Sequence, residues 1–414
     1  MAGAYVYKFL TAKSGKGTLD TPSLALNIIR KKFYSLIYFD NAATTKPCDE
    51  AVKAAANALT AAFGNPSSRH RVGMDAEILL RQARDRLAMS LGCAEDEIFF
   101  TSGATESNNT AILSACENKI KRLPRVVTTT VEHPSVKACF DKLEKLGAEV
   151  VRVAPDENGD ITDKMIFDAV NDRTCLVSCM LVNNETGYVL PTAKAFAMIK
   201  RKYPDCITHC DAVQGFMKLP FKAKTLFADL ISVSGHKIHG AKGVGVLFIK
   251  KGTKIAPFML GGGQEKGFRS GTENLPAIAA MGEAVKLLTP TIDSRLQYVT
   301  ELREYLVEKL SEIDGIEINS KPSALPYVTS IAMPNFKSET LLNYLSDRGI
   351  CVSSGSACSK GKKSTVLQEF RISAEKTDST LRVSFCAENT KAEIDELCKT
   401  LKRASGELCT IKRK

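Results

Sequence analysis

The chain has 414 residues, 44% of them hydrophobic and 25% charged, a length and composition suited to two or three domains with large apolar cores. Its net charge of +11 is dispersed apart from clusters at 250–254, 360–363 and 412–414, which allows weak nucleic-acid contact without marking a dedicated surface for it. No apolar run approaches the roughly 20 residues that cross a bilayer, and thirteen cysteines without a secretory signal point to a reducing, cytoplasmic setting.

Residues 1–36 are acid-poor, with Lys8, Lys13, Lys16, Arg30, Lys31 and Lys32 against Asp20 alone. Few of these are arginines, so the stretch reads as a flexible extension rather than a targeting segment. Residues 37–50 are expected to pack against a smaller C-terminal domain. From 51 to about 290, helical patterns alternate with short β-runs at 98–101, 126–130, 149–153, 176–181, 207–211, 230–234 and 244–249. Such alternation predicts an α/β domain with a mainly parallel sheet flanked by helices. From 291 to 414 the pattern changes to a long charged helix (293–312), short strands at 315–318 and 329–333, and a closing helix from 391. This predicts a smaller α+β domain. No internal repeat interrupts either part.

Three of the β-runs end in reactive groups. The run 229–237 closes in Ser234, Gly235, His236 and Lys237, and the run 206–211 closes in Asp211, with Gln214 three residues on. The run Phe99-Phe100-Thr101 is followed by a Ser-Gly-Ala turn (102–104) and by Thr105, which opens a helical pattern. An isolated lysine is usually a solvated surface charge. Here, however, strand ends deliver an amine and a carboxylate to the sheet edge where open α/β folds bind ligands. Pyridoxal 5'-phosphate needs those two groups, an amine for its aldehyde and a carboxylate that keeps its ring nitrogen protonated. Its phosphate needs a glycine turn at a helix N-terminus.

The chain resembles the cysteine desulfurases of the class V aminotransferase group, whose enzymes have the pyridoxal-phosphate fold type I. The resemblance runs from about Tyr38 to Ala404, through Tyr-Phe-Asp-Asn-Ala-Ala-Thr-Thr (38–45), Phe-Gly-Asn-Pro-Ser-Ser (63–68), Thr-Ser-Gly-Ala-Thr-Glu-Ser-Asn-Asn (101–109) and Glu-His (132–133). It continues through Val-Asn-Asn-Glu-Thr-Gly (182–187), Ser-Gly-His-Lys (234–237), Arg-Ser-Gly-Thr-Glu-Asn (269–274) and Ser-Ser-Gly-Ser-Ala-Cys (353–358). It implies that Lys237 carries the cofactor, Asp211 faces the ring nitrogen, Gln214 bonds the ring hydroxyl and His133 stacks on the ring and assists proton transfer. Ala104, Thr105, Ser234 and His236 would hold the phosphate, with Thr272 supplied by the neighbouring subunit of a homodimer. Asn184 and Arg382 resemble the pair that grips the carboxylate of L-cysteine, a task suited to a bidentate guanidinium.

Cys358 names the reaction. Cys48, Cys93, Cys116, Cys139, Cys175, Cys179, Cys206 and Cys210 lie in apolar helix or strand patterns and read as small buried hydrophobes. Cys358 instead sits in Ser-Ser-Gly-Ser-Ala-Cys-Ser-Lys-Gly-Lys-Lys-Ser (353–364), a solvated loop whose nearby cations favour the thiolate. The resemblance implies that this thiol takes sulfur from cysteine as a persulfide and passes it to a protein acceptor, such as an iron–sulfur scaffold or a transfer-RNA thiolation partner. Lys360, Lys362 and Lys363 are more basic than the family pattern. They suggest steering of an acidic acceptor, against the plainer reading of a solvated loop tip. No metal is expected. The pairs Cys175/Cys179 and Cys206/Cys210 are each four apart in strand patterns, roughly 13 Å, too far for one zinc with bonds to sulfur of about 2.3 Å. A selenocysteine lyase, another aminotransferase-fold enzyme and a silent sulfur-transfer scaffold are the rival readings. The presence of Lys237, Asp211 and Cys358 together speaks against the scaffold.

Overall fold

The structure, a computed structural model, describes residues 36–117, 119–354 and 364–410. Strand β1 (Ile37–Tyr38) precedes a seven-stranded sheet of β2 (Ile98–Thr101), β3 (Arg125–Thr129), β4 (Glu149–Val153), β5 (Thr174–Ser178), β6 (Ile207–Asp211), β7 (Leu230–Ser234) and β8 (Gly245–Ile249). Their order across the sheet is β2-β8-β7-β6-β5-β3-β4. The pairs β3/β4, β3/β5, β5/β6 and β6/β7 are parallel, and β8 runs antiparallel to both β7 and β2. Every residue of β5, β6, β7 and β8 is buried, as helices on both faces require. All seven predicted strands are present. The run expected at 176–181 is regular strand only to Ser178, but it stays beside β6, since Cys179 N donates to His209 O at 3.0 Å and Leu181 N to Asp211 O at 2.9 Å.

The second sheet has four strands, in the order β12-β13-β10-β9: β9 (Glu317–Ile318), β10 (Val328–Ala332), β12 (Ser353–Ser354) and β13 (Thr380–Ser384), all antiparallel. β11 (Ile350–Cys351) pairs instead with β1, in parallel. Residues 37–41 are stitched to this part of the molecule, since Ile37 N donates to Gly349 O at 2.9 Å, Phe39 N to Cys351 O at 2.8 Å and Ser384 N to Phe39 O at 2.7 Å. Helices Ile292–Ser311 and Lys391–Glu407 pack on each other, and helix Ser338–Ser346 packs on β12, β13 and Lys391–Glu407. The latter starts at a reciprocal cap, in which Glu393 N donates to Thr390 Oγ1 and Thr390 N to Glu393 Oε2, satisfying two backbone donors that the first turn would otherwise leave open.

Two glycines bring the parts into register. Gly187 has φ +74, and a Cβ there would fall 2.7 Å from Val328 O, so the turn after Asn184 lies directly on β10. At Gly245 a Cβ would meet Gly103 at 2.6 Å, so only glycine lets β8 pass under the turn that opens helix Ala104–Glu117.

Candidate active site

The carboxyl ends of β6 and β7, the start of helix Ala104–Glu117, residues 42–44 and β13 enclose a cavity of about 900 Å³. Lys237 ends a short 3₁₀ turn after β7. Its Nζ donates to Ala42 O at 2.6 Å and Ala43 O at 2.7 Å. Asp211, the last residue of β6, is buried. Its Oδ2 accepts from Asn108 Nδ2 at 2.8 Å and its Oδ1 from Val213 N at 3.1 Å. Asn108 also donates to Ser135 Oγ at 2.9 Å, and its Oδ1 is buried without a partner.

His133 caps helix Pro134–Lys145, its Nδ1 accepting from Ser135 N at 3.2 Å, which places the ring proton on Nε2. Burial lowers its pKa, Asp211 opposes that and Lys237 reinforces it, so the imidazole is neutral near pH 7. His236 is pushed down to about 4 by burial and by Lys237, Lys242 and Lys218. Its Nδ1 lies 3.3 Å from Thr44 Oγ1. Ser234 is buried at the end of β7. Ala104 and Thr105 form the first turn of their helix, where backbone donors are open to an anion. Arg269 clamps the same turn from outside, at 2.8 and 3.1 Å from Glu106. Burial alone would raise Glu106, but the hydrogen bonds from Arg269 and Ser102 together outweigh it and hold the carboxyl below its usual value. Thr272 is exposed and does not line the cavity of its own chain.

Arg382 sits mid-strand in β13 and is buried rather than a surface residue. Nη1 donates to Asn184 O at 2.9 Å and Nη2 pairs with Asp40 Oδ1 at 3.0 Å, while Nε has no partner. Asn184 lines the same cavity. Ser353 Oγ donates to Asp40 at 2.7 Å, and Ser364 Oγ donates to Glu185 at 2.6 Å. Burial raises the Glu185 carboxyl to about 7. Cys358 and Lys360 to Lys363 lie outside the described residues, between Ser354 and Ser364.

Of the cysteines read as hydrophobes, Cys116, Cys139, Cys175, Cys179, Cys206 and Cys210 are buried, while Cys48 and Cys93 are half-buried at helix ends. Burial pushes Cys93 and Cys206 up to about 12 and Cys139 to about 11, so these thiols are protonated near neutral pH. Among the described residues one group, His239, Cys386 and Glu388, has the makings of a metal site. Its carboxylate, however, already has a cation in Arg295, at 3.1 Å.

Sequence reasoning missed three residues. Asn108 orients Asp211. Glu132 is fully buried beside His133 and pushed up to about 8 by burial, its Oε1 accepting from Thr129 Oγ1 at 2.7 Å and Met180 N at 2.9 Å. Lys218 is buried behind Gln214. Asn108 and Glu132 stand inside matched motifs, which was the available signal. Nothing marked Lys218.

The donor set fits pyridoxal phosphate, with an amine, an oriented buried carboxylate and a glycine-floored helix start in one cavity. Together with the fold, it defines an α/β enzyme working at the carboxyl edge of a mixed, mainly parallel sheet. Residues 37–397 match the family model "Aminotransferase class-V", and the chain belongs to this pyridoxal-phosphate-using family. It is 39% identical over 366 residues to a "NifS/IcsS protein homolog" of Lactobacillus delbrueckii subsp. bulgaricus, covering 87% of this chain and 95% of that one. It is 37% identical over 371 residues to a "Cysteine desulfurase" of Trichormus azollae, covering 89% and 92%. Among solved structures it resembles a "NIFS-LIKE PROTEIN" with TM-score 0.85 and 34% identity, covering 90% of this chain and 100% of that one. It also resembles "SspA in complex with cysteine", with TM-score 0.76 and 28% identity, covering 86% and 100%. No helix among the described residues is long and apolar enough to cross a membrane.

Proposed function

We propose that the chain is a pyridoxal-phosphate-dependent cysteine desulfurase that converts L-cysteine to L-alanine and leaves the sulfur as a persulfide on Cys358. The observation that carries this reading is the gathering of Lys237, Asp211, His133 and Arg382 around one cavity, with Ser364, which closes the Cys358 segment, on its wall. When bound, the cofactor supplies an aldehyde that condenses with amines and a protonated ring that accepts charge developing at the substrate Cα.

The residues divide the work. Arg382, with Asn184 beside it, grips the substrate carboxylate, its paired Nη donors matching two oxygens. Asp211, fixed by Asn108 and Val213 N, holds the proton on the ring nitrogen, and Gln214 bonds the ring hydroxyl. Ala104, Thr105, Ser234 and His236 bind the phosphate, joined by Thr272 of a second subunit. Lys237 Nζ takes the Cα proton, and neutral His133 moves protons through Nε2. Cys358 attacks the substrate sulfur as thiolate, forming the S–S bond as the C–S bond breaks, and a protein acceptor then takes the outer sulfur. Cys358→Ala is expected to keep the cofactor's visible band and to yield no alanine from cysteine. Undiminished turnover by that variant would sink the assignment.

A further inference from the structure

A buried ammonium lies behind the cofactor side of the cavity. Lys218 follows Gln214 by four residues and is 5% exposed. Its Nζ donates to Gln214 Oε1 at 3.0 Å and stands 5.7 Å from the ring centroid of Tyr327. The charged groups that act on it among the described residues are Lys237 and Arg382, both cationic, and the Cys386 thiol. Burial and these cations bring Lys218 down to about 7. The preceding residue, Met217, has φ +60, a conformation unfavourable for a side chain with a Cβ. An enclosed cation beside other cations, delivered by a strained backbone, is a costly arrangement that packing alone does not call for.

The use of that arrangement lies in what an ammonium can bond. In its protonated form, which prevails below about pH 7, it has three donors and no acceptor, so the end of the Gln214 amide that meets it is then the carbonyl. The other end, Nε2, then faces residues 42–44 and the cavity, and it donates to Ala42 O at 2.9 Å, the carbonyl that also accepts from Lys237 Nζ. Ala42 O and Lys218 hold the amide from its two ends; without Lys218 the orientation rests on Ala42 O, an acceptor that Lys237 Nζ also engages. We propose that Lys218 is a positioning residue of the cofactor site, holding the Gln214 amide so that its N–H groups are the end presented to the cofactor's ring hydroxyl.

The proposal rests on the reading of Gln214 as the ring-hydroxyl partner. A fixed donor there favours the deprotonated ring oxygen and so sets the pH at which the visible band of the loaded enzyme titrates. The test uses the loaded full-length enzyme as wild type, Lys218→Met, Gln214→Ala and the double variant, and reads the titration midpoint of the band and the dissociation constant of the cofactor. Lys218→Met and Gln214→Ala are each expected to move the midpoint to higher pH and to weaken cofactor binding about tenfold. The double variant is expected to match Gln214→Ala alone, because residues acting through one contact are not additive. Lys218→Arg, which keeps donors and has no acceptor, is expected to retain the wild-type midpoint, whereas a general packing defect would move it as Met does. If Lys218→Met shifts nothing while Gln214→Ala does, or if the two shifts add in the double variant, the proposal is overturned and the Gln214 reading stands. If Gln214→Ala shifts nothing, both are overturned.

Discussion

The two sides of the cavity are held by different physics. On the large-sheet side Asp211 closes a strand and Lys237 the turn after one, and both are fixed by hydrogen bonds to neutral groups, Asp211 by Asn108 and Val213 N and Lys237 by two carbonyls. On the small-sheet side Arg382 lies within β13 and is balanced by a counter-charge, Asp40. Neutral hydrogen bonds of this kind preorganise a group without competing for it. An ion pair can exchange one carboxylate for another, which suits a residue that must take up and release a substrate.

The strongest way to break this comparison is to remove the exchangeable charge. Arg382→Ala deletes the substrate clamp and leaves the half-buried Asp40 without its cation, and truncating one partner of a buried charge pair costs about 2–5 kcal/mol. We expect kcat/KM for L-cysteine to fall by about 100-fold or more, mainly through KM, with the cofactor band preserved. Steady-state kinetics with an absorption spectrum check it, and a loss confined to kcat would contradict the clamp.

The next test weakens the neutral side. Asn108→Ala removes one of two donors to Asp211, a hydrogen bond to a charged group worth about 1.5–3 kcal/mol. We expect roughly tenfold slower alanine formation and a weaker hold on the cofactor, with KM little changed. Opposite splits for Arg382→Ala and Asn108→Ala would confirm that one side serves the substrate and the other the cofactor. Identical splits would erase the distinction.

The same contrast explains what could be read in the sequence. Strand ends are legible, because an apolar run of five residues that stops at Asp211 or Ser234 announces both its burial and its functional terminus. Arg382 is not legible by pattern, since Leu-Arg-Val-Ser-Phe alternates like a strand with one exposed face. Its burial is offset by Asp40, 342 residues away, and by the Asn184 carbonyl. Lys218 was equally hidden, because its acceptor is four residues upstream on an irregular turn rather than on a helix face. Long-range charge balance and turn geometry decide such positions, and neither has a local period. Residue types inside long motifs fare better, although Asn108 and Glu132 show that a motif can be recognised without assigning every member a task.

Glu132 offers the finest test, because it is a second buried carboxyl on the cofactor side, close enough to Asp211 to feel its charge. Its Oε1 accepts two hydrogen bonds, while Oε2 is buried without a partner. Burial, followed by the charge on Asp211, raises its pKa from 4.5 to about 8, against the opposing pull of the Met180 and Thr129 hydrogen bonds and of Lys137. The folded pKa therefore lies above the unfolded one. The associated stability is fully present below pH 4.5 and is lost as the pH rises through about 8. Glu132→Gln keeps an oxygen for Thr129 and Met180 and cannot ionise. Between pH 6 and 9 the melting temperature of the wild type should fall more than that of the variant, by at least about 2 °C. Thermal melts at the two pH values read the difference directly. Parallel falls in both proteins would mean that Glu132 keeps one charge state between pH 6 and 9 and that its raised pKa is wrong.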